Sequence, residues 1–167
     1  PRVFFSYRMS PDGQAKENCA DIQAGLLRVA LNSRGIDVTP NLLDCAASRN
    51  ADRAHEIAGA IVDCDLFVIL GTSSYGEQTR SPMCTYYEWN LARQESTPLA
   101  WIKMATMDSP VMRMQMGPGI IYFDQLVDPA AWTDLEVAAV ADFIQEKIPH
   151  MPGSPTSVVD ATNASVP

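Results

Sequence analysis

The chain has 167 residues, 47% of them apolar and 19% charged, the balance of an ordinary globular domain with a single core. Its formal charge of −8, with 12 Lys and Arg spread along the chain, argues against duplex nucleic acid as a partner; a small anionic ligand, which needs only one or two local cations and a helix N-terminus, stays allowed. The longest apolar run, Leu66 to Leu70, is far too short to cross a bilayer, so no membrane partner is expected.

In chain order, Arg2 to Ser6 (R-V-F-F-S) reads as a first strand, followed by turn residues at Met9 to Gly13. From Gln14 to Arg34 the spacing of Cys19, Ile22, Leu26, Val29 and Ala30 predicts a helix facing the core with those residues, stopped by Gly35. Ile36 to Thr39 is a second, brief strand closed by Pro40. Asn41 to Asn50 has no period and reads as a loop, with Asn50 as cap of the next helix. That helix carries Ala54, Ile57, Ala58, Ile61 and Val62 on one face. Asp65 to Gly71 (D-L-F-V-I-L-G), continuously apolar and β-branched, suits a central strand of a parallel sheet covered on both faces. Ser81 as N-cap and Pro82 at the first helical position open a helix running to about Gln94. Pro98 to Met104 and Gly119 to Phe123 read as strands four and five, and Ala130 to Lys147 as the last helix.

From Pro149 onward the composition turns to Pro, Ser, Thr, Gly and Ala without period. Residues 1–148 are thus expected to form one domain and 149–167 a disordered tail or linker of a longer protein. Strands alternating with helices predict a three-layer α/β domain: a five-stranded, flavodoxin-like parallel sheet, order 2-1-3-4-5, with helices on both faces.

Cysteines 19, 45, 64 and 84 contain no C-x-x-C pair and the histidines are His55 and His150, which is not a zinc spacing. Cys19 and Cys64 read as small buried thiols. Together with the lack of an N-terminal apolar segment, this points to a reducing, cytoplasmic setting.

In open α/β sheets, ligands gather beyond the carboxyl ends of the strands where strand order reverses, here between strands one and three. The residues leaving those strands are Ser6-Tyr7-Arg8 and Thr72-Ser73-Ser74-Tyr75-Gly76. The stretch S-P-M-C-T-Y-Y-E-W-N (81–90) adds one carboxylate, Glu88, among Tyr86, Tyr87 and Trp89. A charge against apolar surface is costly unless paired, so Glu88 needs a structural partner or a task. Its place near the stripe of Tyr87 and Leu91, on the face of Cys84, puts it at the rim of that crevice. Local chemistry excludes several occupants: there is no G-x-G-x-x-G after strand one, no Gly-Lys-Ser/Thr phosphate loop, no aspartate at the end of strand three, and no histidine placed as base of a Ser-His-Asp site.

V-F-F-S-Y-R (3–8), I-V-D-C-D-L-F-V-I-L (61–70), S-S-Y-G (73–76) and M-C-T-Y-Y-E-W (83–89), in that order and spacing, resemble the successive boxes of a TIR (Toll/interleukin-1 receptor) domain over residues 2–148. In the enzymatic branch of that family a glutamate at the position of Glu88 cleaves NAD+ at the nicotinamide–ribose bond. The resemblance therefore implies an NAD+ glycohydrolase with Glu88 as its catalytic residue, releasing nicotinamide and ADP-ribose or a cyclic variant. NAD+ would be the substrate, with no resident cofactor or metal, and homotypic TIR–TIR self-association would activate the enzyme. It also implies that Cys84 stands where the family carries a large aromatic or a cysteine, that ring stacking on nicotinamide comes from Tyr7, Tyr75 or Tyr87, and that Asp44 matches an acid of the loop after strand two. Arg8 is expected to bind a phosphate or order its loop, with Ser6 and Ser74 as minor polar contacts. Two other classes stay open: a non-catalytic TIR adaptor acting through TIR–TIR contacts, and an enzyme resembling nucleoside deoxyribosyltransferases, which also use a glutamate on this kind of fold.

Overall fold

The computed structural model describes residues 1–9, 20–39, 50–78, 84–104, 120–123 and 132–149. Within them lie the strands β1 (Arg2–Tyr7), β2 (Asp37–Thr39), β3 (Leu66–Gly71), β4 (Leu99–Lys103) and β5 (Ile120–Phe123). The helices are α1 (Asp21–Asn32), α2 (Asn50–Val62), α3 (Thr85–Gln94) and α4 (Asp134–Lys147). All strand pairings are parallel and the order is β2-β1-β3-β4-β5. The α/β class and the parallel sheet expected from the alternation of elements are therefore observed.

Side chains of a strand alternate between its two faces, and that alternation sorts the core into two layers. Val3, Phe5 and Tyr7, with Leu66, Val68, Leu70, Ala100 and Ile102, pack against Ala24, Leu27 and Leu31 of α1 and Val140, Ala141 and Ile144 of α4. Phe4, Phe67, Ile69 and Trp101 take the other side, against Ile57 and Ile61 of α2 and Trp89 and Ala92 of α3. The rings of Phe4 and Phe67 stack across the β1–β3 pairing, 5.3 Å apart and 8° from parallel. Every residue of β3 is buried, as its unbroken apolar run requires of a strand covered on both sides.

Several helix faces differ from the expected ones. In α1 the core takes Gln23, Ala24, Leu27 and Leu31, and the expected Ile22, Leu26 and Val29 are exposed. In α2, Ile57 and Ile61 are buried and Val62 is 51% exposed. Helix α3 begins at Thr85 with Cys84 as N-cap, the expected Ser81 and Pro82 lying outside the described residues, and its buried stripe is Thr85, Trp89 and Ala92 rather than Tyr87 and Leu91. Helix α4 opens on a capping box in which Thr133 accepts from the Glu136 N–H while the Glu136 carboxylate accepts from the Thr133 N–H; its Leu135, expected inside, is exposed. Cys64 is buried as expected, just after α2, its thiol donating to the Ile61 carbonyl; Cys19 and Cys45 lie outside the described residues. So does the predicted tail beyond Pro149. No helix among the described residues is long and apolar enough to cross a membrane.

Candidate active site

Strand β1 has β2 on one side and β3 on the other, so the chain reverses its direction of travel across the sheet between β1 and β3, and the carboxyl ends of those two strands border the crevice. Ser6, one residue from the end of β1, is on the α2/α3 side because Phe4, two residues before it, is. Helix α3 lies over this side through Thr85, Trp89 and Ala92. Glu88 is three residues after Thr85 and four before Ala92, on the edge of the same stripe, so helical geometry carries its carboxyl inward.

The two elements meet in a hydrogen bond: Ser6 Oγ donates to Glu88 Oε2 at 2.7 Å. Ser6 Oγ is also 2.7 Å from the hydroxyl of Tyr75, and both Ser6 and Tyr75 are buried. The loop that brings Tyr75 here is closely pinned. The Tyr75 N–H donates to the Thr72 carbonyl at 3.1 Å, and Gly76 takes the left-handed conformation that suits glycine, at φ 76. The Gly76 N–H then donates to Thr85 Oγ1 in the first turn of α3 at 3.0 Å. From the β1 side, Arg8 donates to Glu77 Oε2 at 2.7 Å and to the Ser74 carbonyl at 3.4 Å.

Burial pushes the Glu88 carboxyl up to about 7, against the Ser6 hydrogen bond and the positive charge of Arg53, both of which favour the carboxylate. The first turn of α3, where Glu88 stands, also favours negative charge. The Tyr75 phenol is raised well above its ordinary value, first by burial and then by the negative Glu88, with the Ser6 bond acting the other way. The result is one carboxylate at the switch point whose ionisation burial pushes up to about 7 and whose Oε2 is held by Ser6.

Of the sequence-predicted site residues, the fold gathers Ser6, Tyr75 and Glu88. Tyr7 is not among them: alternation along β1 sends its ring into the α1/α4 layer, on the opposite face of the sheet from Glu88. Tyr75 contributes its hydroxyl and not a stacking face, since it is 1% exposed and its ring stands edge-on to Trp101 at 5.3 Å. Arg8 orders the loop, the second of its two expected roles. Ser74 lends Arg8 its carbonyl, while its own Oγ is buried with no hydrogen-bond partner among the described residues. Cys84 caps α3, its carbonyl accepting from the Tyr87 and Glu88 N–H groups. Tyr87 is 44% exposed, with its hydroxyl accepting from Gln78 Nε2 at 3.2 Å and its ring edge-on to Tyr86; it is the one predicted ring with a face open to a ligand. Asp44 lies outside the described residues.

Arg53 escaped the sequence analysis. It sits on α2 four residues before Ile57 and eight before Ile61, on the helix's buried stripe, and its Nε is buried without a hydrogen-bond partner among the described residues. A cation in register with an apolar stripe was the available signal.

No family model matches the chain, and no curated protein matches it. Among solved structures it is similar to the CMP N-glycosidase of Clostridium botulinum, with a TM-score of 0.54 and 16% identity, covering 86% of this chain and 99% of that one. Likeness at that identity speaks for the fold. What fold and site together define is an α/β domain with a parallel sheet and a half-buried, hydroxyl-anchored glutamate at its switch point.

Proposed function

We propose that this chain cleaves N-glycosidic bonds with Glu88 as its catalytic residue, and that its substrate is NAD+, split into nicotinamide and ADP-ribose in linear or cyclised form. The observation that carries this reading is the carboxylate of Glu88, withdrawn from water yet held at 2.7 Å by Ser6 at the crevice between β1 and β3. The order and spacing of the sequence boxes that resemble TIR domains favour NAD+ as the substrate, and self-association is proposed to complete the pocket.

The chemistry suits a single carboxylate. The bond from C1′ of the ribose to the pyridinium nitrogen breaks with its electron pair moving to nitrogen, so nicotinamide leaves neutral and no general acid is needed. Positive charge develops on the ribose as an oxocarbenium-like state, which a desolvated anion stabilises and holds by its hydroxyls. Water then adds at C1′ and releases a proton, or an internal nucleophile closes the ring. Glu88 must be ionised for this role, so activity rises as pH increases through about 7, the value to which burial pushes its carboxyl.

A second reading, favoured by the likeness to the CMP N-glycosidase, is cleavage of a pyrimidine nucleotide. There the base departs as an anion unless protonated, and a neutral Glu88 serving as acid gives activity that falls above pH 7. The test is incubation of the purified chain at high concentration with NAD+ and, separately, with CMP, following free nicotinamide and cytosine across pH. NAD+ turnover with an acid limb near neutrality, lowered roughly 10²–10³-fold or more in Glu88→Gln, is the expected result. Cytosine release alone supports the pyrimidine reading. Turnover of neither, or equal turnover by the variant, sinks the catalytic assignment and leaves a TIR-like adaptor.

A further inference from the structure

Ser6 and Tyr75 are both polar residues with almost no exposure, on different elements, converging on one oxygen of Glu88. Ser6 has a single hydroxyl hydrogen, and it goes to Glu88 Oε2 at 2.7 Å. The contact of 2.7 Å between Ser6 Oγ and the Tyr75 hydroxyl must then be made with the Tyr75 hydrogen. Two hydroxyls thus stand in series, phenol to alcohol to carboxylate, each directed by its neighbour. Neither has surface to offer a ligand: Ser6 is 0% and Tyr75 1% exposed. Among the described residues Glu88 makes no other side-chain hydrogen bond, and the bond from Ser6 falls on Oε2.

We propose that Tyr75 and Ser6 are positioning residues, a two-hydroxyl clamp that fixes one oxygen of Glu88 and presents the other to the ribose. The inference rests on the catalytic reading of Glu88 and deepens it: the groups that left the sheet as candidate substrate contacts act through the carboxylate instead. Such a clamp does two things. It removes rotational freedom from a side chain with three torsions, so that the anion meets the developing charge without reorganising. Its directionality also follows the charge state. An ionised Glu88 only accepts, which orients Ser6 and through it Tyr75, whereas a protonated Glu88 competes as a donor and slackens the series. The structure around the clamp supports this rigidity. The Tyr75 ring is fixed against Trp101, its loop is tied to α3 through the Gly76 N–H and Thr85, and Arg8 braces the same loop from β1. Among the described residues, the charged and titratable groups bearing on Glu88 are Arg53 of α2 and Tyr75 itself.

The experiment measures Glu88 in two ways, by the pH profile of turnover and by 13C NMR titration of the labelled carboxyl, in the wild type, Ser6→Ala and Tyr75→Phe. Ser6→Ala removes the hydrogen bond that Ser6 donates to the carboxylate, so its midpoint is expected to move upward by about one pH unit, with kcat down about tenfold or more and KM within about threefold. Tyr75→Phe keeps the ring packing and is expected to shift the midpoint the same way by less. A Glu88 midpoint unmoved in both variants, or a raised KM with kcat intact, overturns the clamp and returns the two residues to substrate contacts. The carboxyl titration needs no turnover. If NAD+ is not consumed but Ser6→Ala still raises the midpoint, the clamp stands as a property of Glu88 and only the choice of substrate fails.

Discussion

At Glu88 the burial that readies the carboxylate for chemistry also weakens the fold. Burial pushes its carboxyl up to about 7 in the native protein from the ordinary 4.5 of the unfolded chain. Between those values the native state binds more protons, so stability falls as pH rises through the window and stays at its lower level above it. The full shift corresponds to about 3 kcal/mol at most. Glu88→Gln keeps the shape and an oxygen for the Ser6 hydroxyl but has no charge to desolvate. Urea denaturation is expected to find the variant more stable than wild type by about 1–3 kcal/mol at pH 8 and equal to it near pH 4. A difference that does not change with pH would mean that the carboxylate is well solvated in solution.

Among the elements, the end of β3 is the most constrained. A Cβ added at Gly71 would lie 2.5 Å from three ring atoms of Trp101, a rigid group that is fully buried and supports the Tyr75 ring. Gly71→Ala is expected to destabilise the fold by about 1–3 kcal/mol and, by displacing Trp101, to move Tyr75 off Ser6. Thermal unfolding with an activity assay on the folded fraction checks both effects, and a neutral outcome would place the indole away from the strand end. The strand itself was legible in the sequence because a short, unbroken apolar run with Val68 and Ile69 at its centre suits a strand covered on both faces. Helix α1 was legible as a helix but not in orientation. It carries two stripes, Ile22, Leu26 and Val29 against Ala24, Leu27 and Leu31, and hydrophobicity favoured the first, whereas packing against the sheet selected the second. The site divides in the same manner. Ser6 and Glu88 followed from strand ends and spacing, but whether Tyr75 offers a ring or a hydroxyl depends on Trp101, more than twenty residues further on, and no local pattern encodes it. Tyr7 was misassigned although strand alternation alone separates it from Ser6.

Across the whole molecule the sheet is a partition, and this separates stability from activity in space. Leu27 of α1 and Ile61 of α2 are both buried, one in each layer. Truncating either to alanine removes comparable apolar contact and is expected to cost about 2–5 kcal/mol. The consequences for the site differ. Leu27→Ala leaves a cavity beneath the face that carries Tyr7, with the sheet between it and the Ser6–Glu88 bond. Ile61→Ala loosens α2, which carries Arg53 and packs beside α3, so the groups bearing on the Glu88 carboxyl shift with it. At a temperature where both variants remain folded, Leu27→Ala should keep the wild-type pH midpoint of Glu88, and Ile61→Ala should move it. Equal displacement by both would mean that strain passes through the strands and that the two layers respond as one. Midpoints separated at matched stability would show that a single hydroxyl, placed on one side of β1 by the two-residue period of the strand, isolates the site from half of the core.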